Sequence, residues 1–170
     1  EPGLVYTRIN NPDIEILEDR LCLWDGAEGC AAFASGMAAI STTLMEFLNP
    51  GDLVLFSEPL YGGTEHFLRE FLPKMGVEAV SFLPGQTAPD LRAILKQSGK
   101  ADKLAMIYFE SPANPTNDLI DIAMVVQLEK EYSAKDRRVL TVIDNTFLGP
   151  LFSQPLKLGV DLVIYSATKY

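Results

Sequence analysis

Short apolar runs and segments of helical hydrophobic spacing alternate along most of this chain. The apolar runs are continuous, with few polar residues inside them, which is typical of strands that are covered on both faces. Every run has the length of a strand, so we predict no membrane-spanning helix. The predicted strands are residues 31–34, 53–56, 77–83, 104–109, 139–143 and 162–165.

Helices are predicted before and between these strands. The segment Asn11-Pro12-Asp13 combines a capping asparagine, a proline in the first turn and an acidic residue, which together indicate a helix start. Apolar residues follow it at helical spacing, and Gly26 and Gly29 end this first helix. Ser35 opens a second helix that runs to about Leu48. Further helices are predicted for residues 64–75, 90–97 and 122–132.

The alternation predicts an α/β fold with a mostly parallel sheet that is covered by helices on both faces. A length of 170 residues, 48% of them hydrophobic and 22% charged, fits one ordinary domain with a real core. The chain starts without a methionine and stops one residue after Lys169, so we expect a piece of a longer polypeptide.

The net charge and the few cysteine and histidine residues limit the partners, the compartment and the metal sites that we expect. The formal net charge of −9 argues against nucleic acids and acidic membrane surfaces. Cys22 and Cys30 are expected to be a buried, reduced pair in a cytoplasmic protein. With His66 as the single histidine, we expect no metal site.

An aspartate directly follows one predicted strand, and a lysine follows the next strand after the short polar segment Ser166-Ala167-Thr168. Lys169 comes after strand 162–165, and Asp144 comes after strand 139–143. An amine and a carboxylate at the ends of neighbouring parallel strands suit a pyridoxal phosphate site, in which the lysine forms the Schiff base and the acid pairs with the pyridinium nitrogen. Each pattern also has a simpler explanation. The segment that ends at Lys169 can be a helix cap with a solvated lysine, and Asp144 can belong to a simple turn. The interpretation therefore depends on the other residues at this edge of the sheet.

Polar segments follow the other strands as well, and ligands of open α/β sheets bind beyond the carboxyl ends of the strands. The segments that follow successive strands are residues 35–37, 57–64, 110–115, 144–146 and 166–169. Each segment alone reads as a loop or a cap. Together they supply every group that a pyridoxal phosphate site needs, and this outweighs the separate interpretations.

The phosphate of the cofactor needs hydrogen-bond donors. Gly36 allows close approach of the backbone, so that its amide and that of Met37 at a helix N-terminus can hold a phosphate. The hydroxyl groups of Ser166 and Thr168 would complete this cradle.

The ring of the cofactor needs three further contacts. Tyr61 offers a flat ring for stacking and a phenol for proton transfer. Asp144 would keep the ring nitrogen protonated through a charge-assisted hydrogen bond that contributes about 1.5–3 kcal/mol. Asn114 would donate to the phenolic oxygen beside the reacting carbon.

Six motifs in order carry a family resemblance. They are Tyr6-Thr7-Arg8-Ile9-Asn10-Asn11-Pro12, Phe33-Ala34-Ser35-Gly36-Met37-Ala38, Leu60-Tyr61-Gly62-Gly63-Thr64, Glu110-Ser111-Pro112-Ala113-Asn114-Pro115, Asp144-Asn145-Thr146-Phe147 and Ser166-Ala167-Thr168-Lys169-Tyr170. From Tyr6 to Tyr170 the chain resembles the cysteine and methionine metabolism family of fold-type-I pyridoxal phosphate enzymes.

The resemblance implies roles for individual residues. Lys169 would carry the cofactor and then move a proton between substrate carbons, with Tyr61 and Asp144 as the other catalytic residues. Tyr6 and Arg8 would reach across a dimer interface to the neighbouring subunit's cofactor phosphate. The full set of expected cofactor-binding residues is Tyr6, Arg8, Ser35, Gly36, Met37, Tyr61, Asn114, Asp144, Thr146, Ser166, Thr168 and Lys169.

The same resemblance implies an organisation. Residues 1–25 would be an N-terminal segment that contributes to the neighbouring subunit's site, and residues 26–170 the first part of the pyridoxal phosphate-binding domain. The enzyme would be a dimer-based homo-oligomer, a tetramer in its final form, with shared active sites and a small amino-acid substrate. In this family the arginine that holds the substrate carboxylate lies beyond Tyr170.

The expected reaction is γ-replacement or γ-elimination on cystathionine or an O-acylhomoserine. Two alternatives within the family are a methionine γ-lyase, which typically carries cysteine where Gly63 stands, and an O-acetylhomoserine sulfhydrylase, which often carries glutamine where Met37 stands. Outside the family, the alternatives are a non-catalytic α/β module and an aminotransferase of the same fold.

Overall fold

The computed structural model describes residue 3 and residues 5–170. Its centre is a five-stranded sheet in the order β2-β1-β3-β4-β5, in which every neighbouring pair is parallel. The strands are β1 (Leu53–Ser57), β2 (Glu78–Phe82), β3 (Leu104–Glu110), β4 (Leu140–Asp144) and β5 (Leu162–Ile164). These strands confirm the predicted runs from residue 53 onward, with ends that differ by a residue or two.

Helices precede and connect the strands. They are α1 (Pro12–Asp25), α2 (Gly36–Phe47), α3 (Gly62–His66), α4 (Ala88–Ser98), α5 (Ile122–Tyr132) and α6 (Gly149–Phe152), and short 3₁₀ turns lie at Ala101–Lys103, Pro155–Leu158 and Ala167–Lys169. The start of α1 is the predicted one, because the Asn11 side chain accepts hydrogen bonds from the backbone N–H groups of Asp13 and Ile14.

Both faces of the sheet are buried, which confirms the predicted α/β fold. On one face Val54, Phe56 and Tyr108 pack with α2 and with the segment around Leu68 and Leu72. Their sequence neighbours point to the opposite face, because successive strand residues alternate between the two sides. There Leu55, Ile107, Phe109 and Ile143 pack with α4 and α5.

The predicted strand at residues 31–34 is wrong, since none of these residues forms a strand. A strand needs a neighbour whose carbonyl groups accept its N–H groups. Here the backbone N–H of Ala32 instead donates to the carboxylate of Glu18 in α1, at 2.6 Å. The short apolar run therefore forms a connection between α1 and α2.

The helix predicted at residues 64–75 is confirmed in part. It starts two residues earlier, at Gly62, and changes into a π-helical turn at Phe67–Phe71 and a 3₁₀ turn at Leu72–Met75. Pro73 has no N–H, so it cannot continue an α-helical ladder, and Gly76 ends the segment with φ of 79°.

Helix α1 lies at the edge of the fold, and its apolar face is largely exposed to solvent. Ile16 is 65% exposed, Leu23 74% and Trp24 43%, whereas Asp25 at its end is buried. Cys22 and Cys30 are free and half-buried, so the prediction that they are fully buried is wrong: the apolar face of α1, on which Cys22 is predicted to lie, is largely exposed. Within the described residues no helix is long and apolar enough to cross a membrane.

Candidate active site

A cleft of about 180 Å³ lies where the carboxyl ends of β1, β3, β4 and β5 meet the N-terminus of α2. It collects every predicted site residue between positions 35 and 169. The lining residues are Ser35, Gly36, Met37, Ile40, Tyr61, Glu110, Asn114, Asp144, Thr146, Phe147, Ser166, Thr168 and Lys169. Loops far apart in sequence meet here because parallel strands end at the same edge of the sheet.

Asp144 is the last residue of β4 and is 5% exposed. Its Oδ1 accepts two hydrogen bonds from Thr146, one from the hydroxyl at 2.5 Å and one from the backbone N–H at 3.0 Å. The Thr146 hydroxyl in turn accepts a hydrogen bond from the backbone N–H of Ser166 at 2.9 Å, so Thr146 joins the ends of β4 and β5. Burial raises the pKa of Asp144, while the hydrogen bonds from Thr146 and the positive charge of Lys169 oppose that rise.

Lys169 lies beside the two hydroxyl groups that precede it. Its Nζ donates to Thr168 Oγ1 at 3.0 Å and to Ser166 Oγ at 3.3 Å, and these two oxygens are 3.2 Å apart. A single 3₁₀ turn, closed by the bond from the Lys169 N–H to the Ser166 carbonyl at 3.0 Å, holds all three groups together.

The N-terminus of α2 faces the same hydroxyl groups. Ser35 caps the helix by accepting the Ala38 N–H at 3.1 Å, which leaves the N–H groups of Gly36 and Met37 without an acceptor among the described residues. A Cβ on Gly36 would lie 2.9 Å from both Cβ and Oγ of Ser166. Glycine is therefore required for this approach, and the helix dipole adds positive potential at the two free N–H groups.

Tyr61 forms another wall of the cleft, with 45% of its surface exposed. Its ring lies over Gly63, where an added Cβ would come within 2.7 Å of Tyr61 Cε1 and 2.9 Å of Met37 Sδ. Glycine at this position lets the tyrosine ring approach the start of α2.

Glu110 also lines the cleft, although it was not among the residues predicted to bind the cofactor. It ends β3 as Asp144 ends β4, and the two residues are register partners in the parallel ladder. Its Oε2 accepts the Tyr61 N–H at 2.7 Å, and its Oε1 accepts the Asn114 N–H at 2.9 Å. The available signal was an acidic residue directly after a continuous apolar run, the same signal that selected Asp144.

The pKa of Glu110 is raised to about 7, first by burial and then by the negative charge of Asp144. The N–H groups of Tyr61 and Asn114 oppose this rise, because they stabilise the ionised form. Phe147 and Ile40, which were not among the predicted site residues, add apolar surface to the cleft.

Tyr6 and Arg8 do not line this cleft. Both are exposed, and the guanidinium carbon of Arg8 lies 5.4 Å from the centre of the Tyr6 ring. Their predicted role at the phosphate of a neighbouring subunit therefore stays a prediction.

The residues of the cleft fit pyridoxal phosphate. Asp144 Oδ2 accepts no hydrogen bond from the part of the chain that the structure describes, so it is available to a ring N–H. The free N–H groups of Gly36 and Met37, with two hydroxyl groups opposite, are donors suited to a phosphate. Among the described residues there is no group of three or more His, Cys, Asp or Glu side chains that could hold a metal ion.

Comparisons with known proteins agree with this chemistry. The chain is similar to the L-methionine gamma-lyase of Pseudomonas putida, at 41% identity over 170 residues, which are 100% of this chain and 40% of that protein. It is similar to the cystathionine beta-lyase MetC of Bacillus subtilis (strain 168), at 40% identity over 165 residues, 97% of this chain and 39% of that protein. The chain thus spans about two fifths of the length of these relatives.

A solved structure shows the same fold with the cofactor attached. It is the putative O-acetylhomoserine (thiol)-lyase metY of Campylobacter jejuni subsp. jejuni NCTC 11168, with N'-pyridoxyl-lysine-5'-monophosphate. The TM-score is 0.84 at 32% identity, and the match covers 99% of this chain and 39% of that one. A family model described as Cys/Met metabolism PLP-dependent enzyme matches residues 1–170. The chain therefore belongs to the family of pyridoxal phosphate-dependent enzymes of cysteine and methionine metabolism.

Proposed function

We propose that this chain forms the cofactor-carrying part of an enzyme that catalyses γ-replacement or γ-elimination on cystathionine or an O-acylhomoserine. The observation that carries the proposal is the meeting of Lys169, Asp144 and the free N-terminus of α2 in one cleft. When bound, pyridoxal phosphate supplies an electron-withdrawing ring that makes protons on the substrate carbons acidic.

Asp144 would hold a proton on the ring nitrogen. Its Oδ1 is fixed by Thr146, which leaves Oδ2 for that proton. A carboxylate that already accepts two hydrogen bonds has a fixed orientation, so it can form a charge-assisted hydrogen bond without further loss of freedom. Burial strengthens this interaction because the surroundings have a low dielectric constant.

Lys169 would bind the cofactor covalently and then act as the mobile base. Its Nζ would take the proton from the substrate α-carbon and deliver it elsewhere on the substrate, steps that a γ-reaction requires. The Lys169 side chain lines the cleft, and its Nζ donates to Thr168 and Ser166, so the amine is held where proton transfer would take place. The Tyr61 phenol would protonate the leaving group or activate the incoming nucleophile.

The anion-binding end of the site would be formed by α2 and the 3₁₀ turn of residues 167–169. The N–H groups of Gly36 and Met37 and the hydroxyl groups of Ser166 and Thr168 would hold the phosphate. Asn114 lines the same cleft and would donate to the phenolic oxygen of the ring. Held in this way, the cofactor would present its reacting carbon to Lys169.

A second subunit would complete this site, with residues 1–25 as the contributing segment and residues 26–170 as the first part of the cofactor domain. Tyr6 and Arg8 are exposed outside their own cleft, and α1 has a largely exposed apolar face. Tyr165 fixes the end of α1 to the sheet, since its hydroxyl donates to Asp25 at 2.9 Å. The part of residues 1–25 at positions 1, 2 and 4 lies outside the described residues.

The assembly proposed is a dimer-based homo-oligomer, a homotetramer in its final form, in the cytoplasm. Free thiols at Cys22 and Cys30 support a reducing compartment. Light scattering of the full protein would measure the number of subunits, and a stable monomer that is fully active would contradict the proposal.

A second candidate is methionine γ-lyase. The 41% identity to the L-methionine gamma-lyase of Pseudomonas putida favours it. Gly63 favours the first proposal, because the family resemblance implies a cysteine at this position in methionine γ-lyases. The two candidates differ in their preferred substrate, and both use the same cofactor and the same cleft.

Substrate competition with the full protein separates them. Cystathionine, methionine, O-acetylhomoserine and O-succinylhomoserine would be compared by kcat/KM, with and without added cysteine. The proposal predicts the highest value for cystathionine or an O-acylhomoserine. A highest value for methionine would establish the second candidate, and no turnover of any of the four would contradict both.

A further inference from the structure

Glu110 is a buried carboxylate with an unusual pair of partners. It is 4% exposed, and its two oxygens accept backbone N–H groups from two different loops. Tyr61 belongs to the loop after β1, and Asn114 belongs to the loop after β3. One side chain therefore fixes the main chain of two loops at the positions whose own side chains face the cleft.

The backbone of Glu110 adds a third connection. Its N–H donates to the Ser57 hydroxyl at the end of β1, at 3.1 Å. The main chain of Glu110 is thus held by its own strand and by the end of the neighbouring one, which gives the carboxylate a fixed base from which it reaches both loops.

Charge makes this residue costly for stability. No lysine or arginine among the described residues forms an ion pair with Glu110, and its register partner Asp144 is also acidic. Burial and Asp144 raise its pKa, which means that the ionised form is destabilised. An apolar residue or an amide would fill the same space without this penalty, and such penalties are concentrated at functional sites.

A neutral amide cannot replace the carboxylate in this geometry. Glutamine has one acceptor oxygen, and its NH₂ group only donates. In a Glu110→Gln variant one of the two N–H groups, of Tyr61 or of Asn114, would face a donor. That loop would lose its anchor while the volume of the side chain stays the same.

We propose that Glu110 is a positioning residue of the active site, whose carboxylate clamps the main chain at Tyr61 and Asn114 and thereby sets the spacing between the stacking ring and the amide that contact the cofactor. This inference rests on the proposed roles of those two side chains. Glu110 acts through these two residues and does not itself contact the reacting atoms, because both hydrogen bonds of its carboxylate are with backbone N–H groups.

The test uses the full protein and compares Glu110→Gln with Glu129→Gln. Glu129 is a matched control, since it is a buried glutamate, 6% exposed, that accepts a hydrogen bond from Ser133 at 2.8 Å on α5, away from the cleft. Hydrogen exchange at the amides of Tyr61 and Asn114 is measured first, in the cofactor-free protein. We expect exchange at one or both amides to be about tenfold faster or more in Glu110→Gln, and unchanged in Glu129→Gln.

Cofactor signals are the second readout. The absorption and visible circular dichroism of the bound cofactor, together with its dissociation constant, report the position of the ring independently of any substrate. We expect both spectra to shift and cofactor affinity to fall in Glu110→Gln, at a melting temperature similar to that of Glu129→Gln. Glu110→Asp, measured in parallel, keeps the charge but is one methylene shorter, so it should preserve protection at one amide at most.

The outcomes separate the clamp from the proposed reaction. Unchanged exchange at both amides, or cofactor spectra identical to those of Glu129→Gln, would overturn the clamp. If Glu110→Gln does not fold, Glu110→Asp decides by the same two readouts. A protein that binds the cofactor but acts on another substrate would contradict the proposed reaction and leave the exchange and spectral results valid.

Discussion

Gly36 and Ser166 lie in direct contact, and a Cβ on Gly36 would lie 2.9 Å from Ser166 Cβ and Oγ. The contact joins the N-terminus of α2 to the end of β5, which are the two halves of the expected phosphate cradle. Since Ser166 Cα would also lie 3.2 Å away, rotation of the serine side chain alone cannot relieve the clash.

Gly36→Ala should therefore separate the two halves of the cradle and weaken cofactor binding. Overpacking of this kind costs about 1–3 kcal/mol, which corresponds to about a 5- to 150-fold higher dissociation constant if the strain falls on the site. Fluorescence titration of the cofactor-free protein with pyridoxal phosphate measures this. Gly29→Ala is the control, because a Cβ there meets nothing within 4 Å, and equal affinity of the two variants would show that the contact between Gly36 and Ser166 does not shape the phosphate site.

Lys169→Ala should abolish covalent attachment of the cofactor and reduce turnover to background. Lys169 is the lysine among the lining residues of the cleft, so another amine is not in place to substitute for it. Reduction with borohydride followed by mass spectrometry detects the attached cofactor. Lys130→Ala, an exposed lysine on α5, should retain the attachment, and a modified peptide in Lys169→Ala would show that another residue carries the cofactor.

Asp144→Asn should leave the fold intact and reduce kcat. The amide oxygen can still accept both hydrogen bonds from Thr146, but an uncharged group does not stabilise a protonated ring nitrogen. Loss of a charge-assisted hydrogen bond of about 1.5–3 kcal/mol corresponds to a decrease of about 10- to 150-fold. Steady-state kinetics with a chemically matched exposed control, Asp136→Asn, measures this, and near-normal kcat would contradict the assigned role.

Much of this site follows from the sequence because it depends on strand ends. The continuous apolar runs place Asp144 and Lys169 at one edge of a parallel sheet, and the structure brings both into the same cleft. The role of Glu110 could not be predicted in this way, because its partners are backbone N–H groups of two loops whose course is set by tertiary packing. The apolar run at 31–34 gave a wrong strand for the same reason, since a strand depends on a neighbour that short-range patterns do not show.

The raised pKa of Glu110 predicts a dependence of stability on pH in the cofactor-free protein. With a pKa of about 7 in the folded state against 4.5 as its ordinary value, the folded protein binds more protons than the unfolded one between these values. The contribution of this group to the free energy of unfolding therefore falls as the pH rises from about 4.5 to 7.

Glu110→Gln should remove this dependence. Relative to the variant, the free energy of unfolding of the wild type should fall by about 1–3 kcal/mol between pH 4.5 and 7.5. The lower end of this range applies if water partly hydrates the cleft. Urea unfolding of both proteins at a series of pH values gives the difference directly. A difference that does not change with pH would show that Glu110 titrates near its ordinary value.

Mixed dimers test whether Arg8 serves the neighbouring subunit. Arg8→Ala should weaken cofactor binding without harming the subunit core, because Arg8 is exposed and its described contact is with the ring of Tyr6. If sites are shared, a dimer of one Arg8→Ala and one Lys169→Ala subunit contains one site with both lesions and one intact site. At a cofactor concentration too low to load Arg8→Ala alone, co-refolding the two variants should then restore at most about a quarter of wild-type activity, since random pairing makes half of the dimers mixed. If mixed dimers form, as shown by tags on the two variants, and activity does not return, Arg8 acts in its own subunit or outside any site.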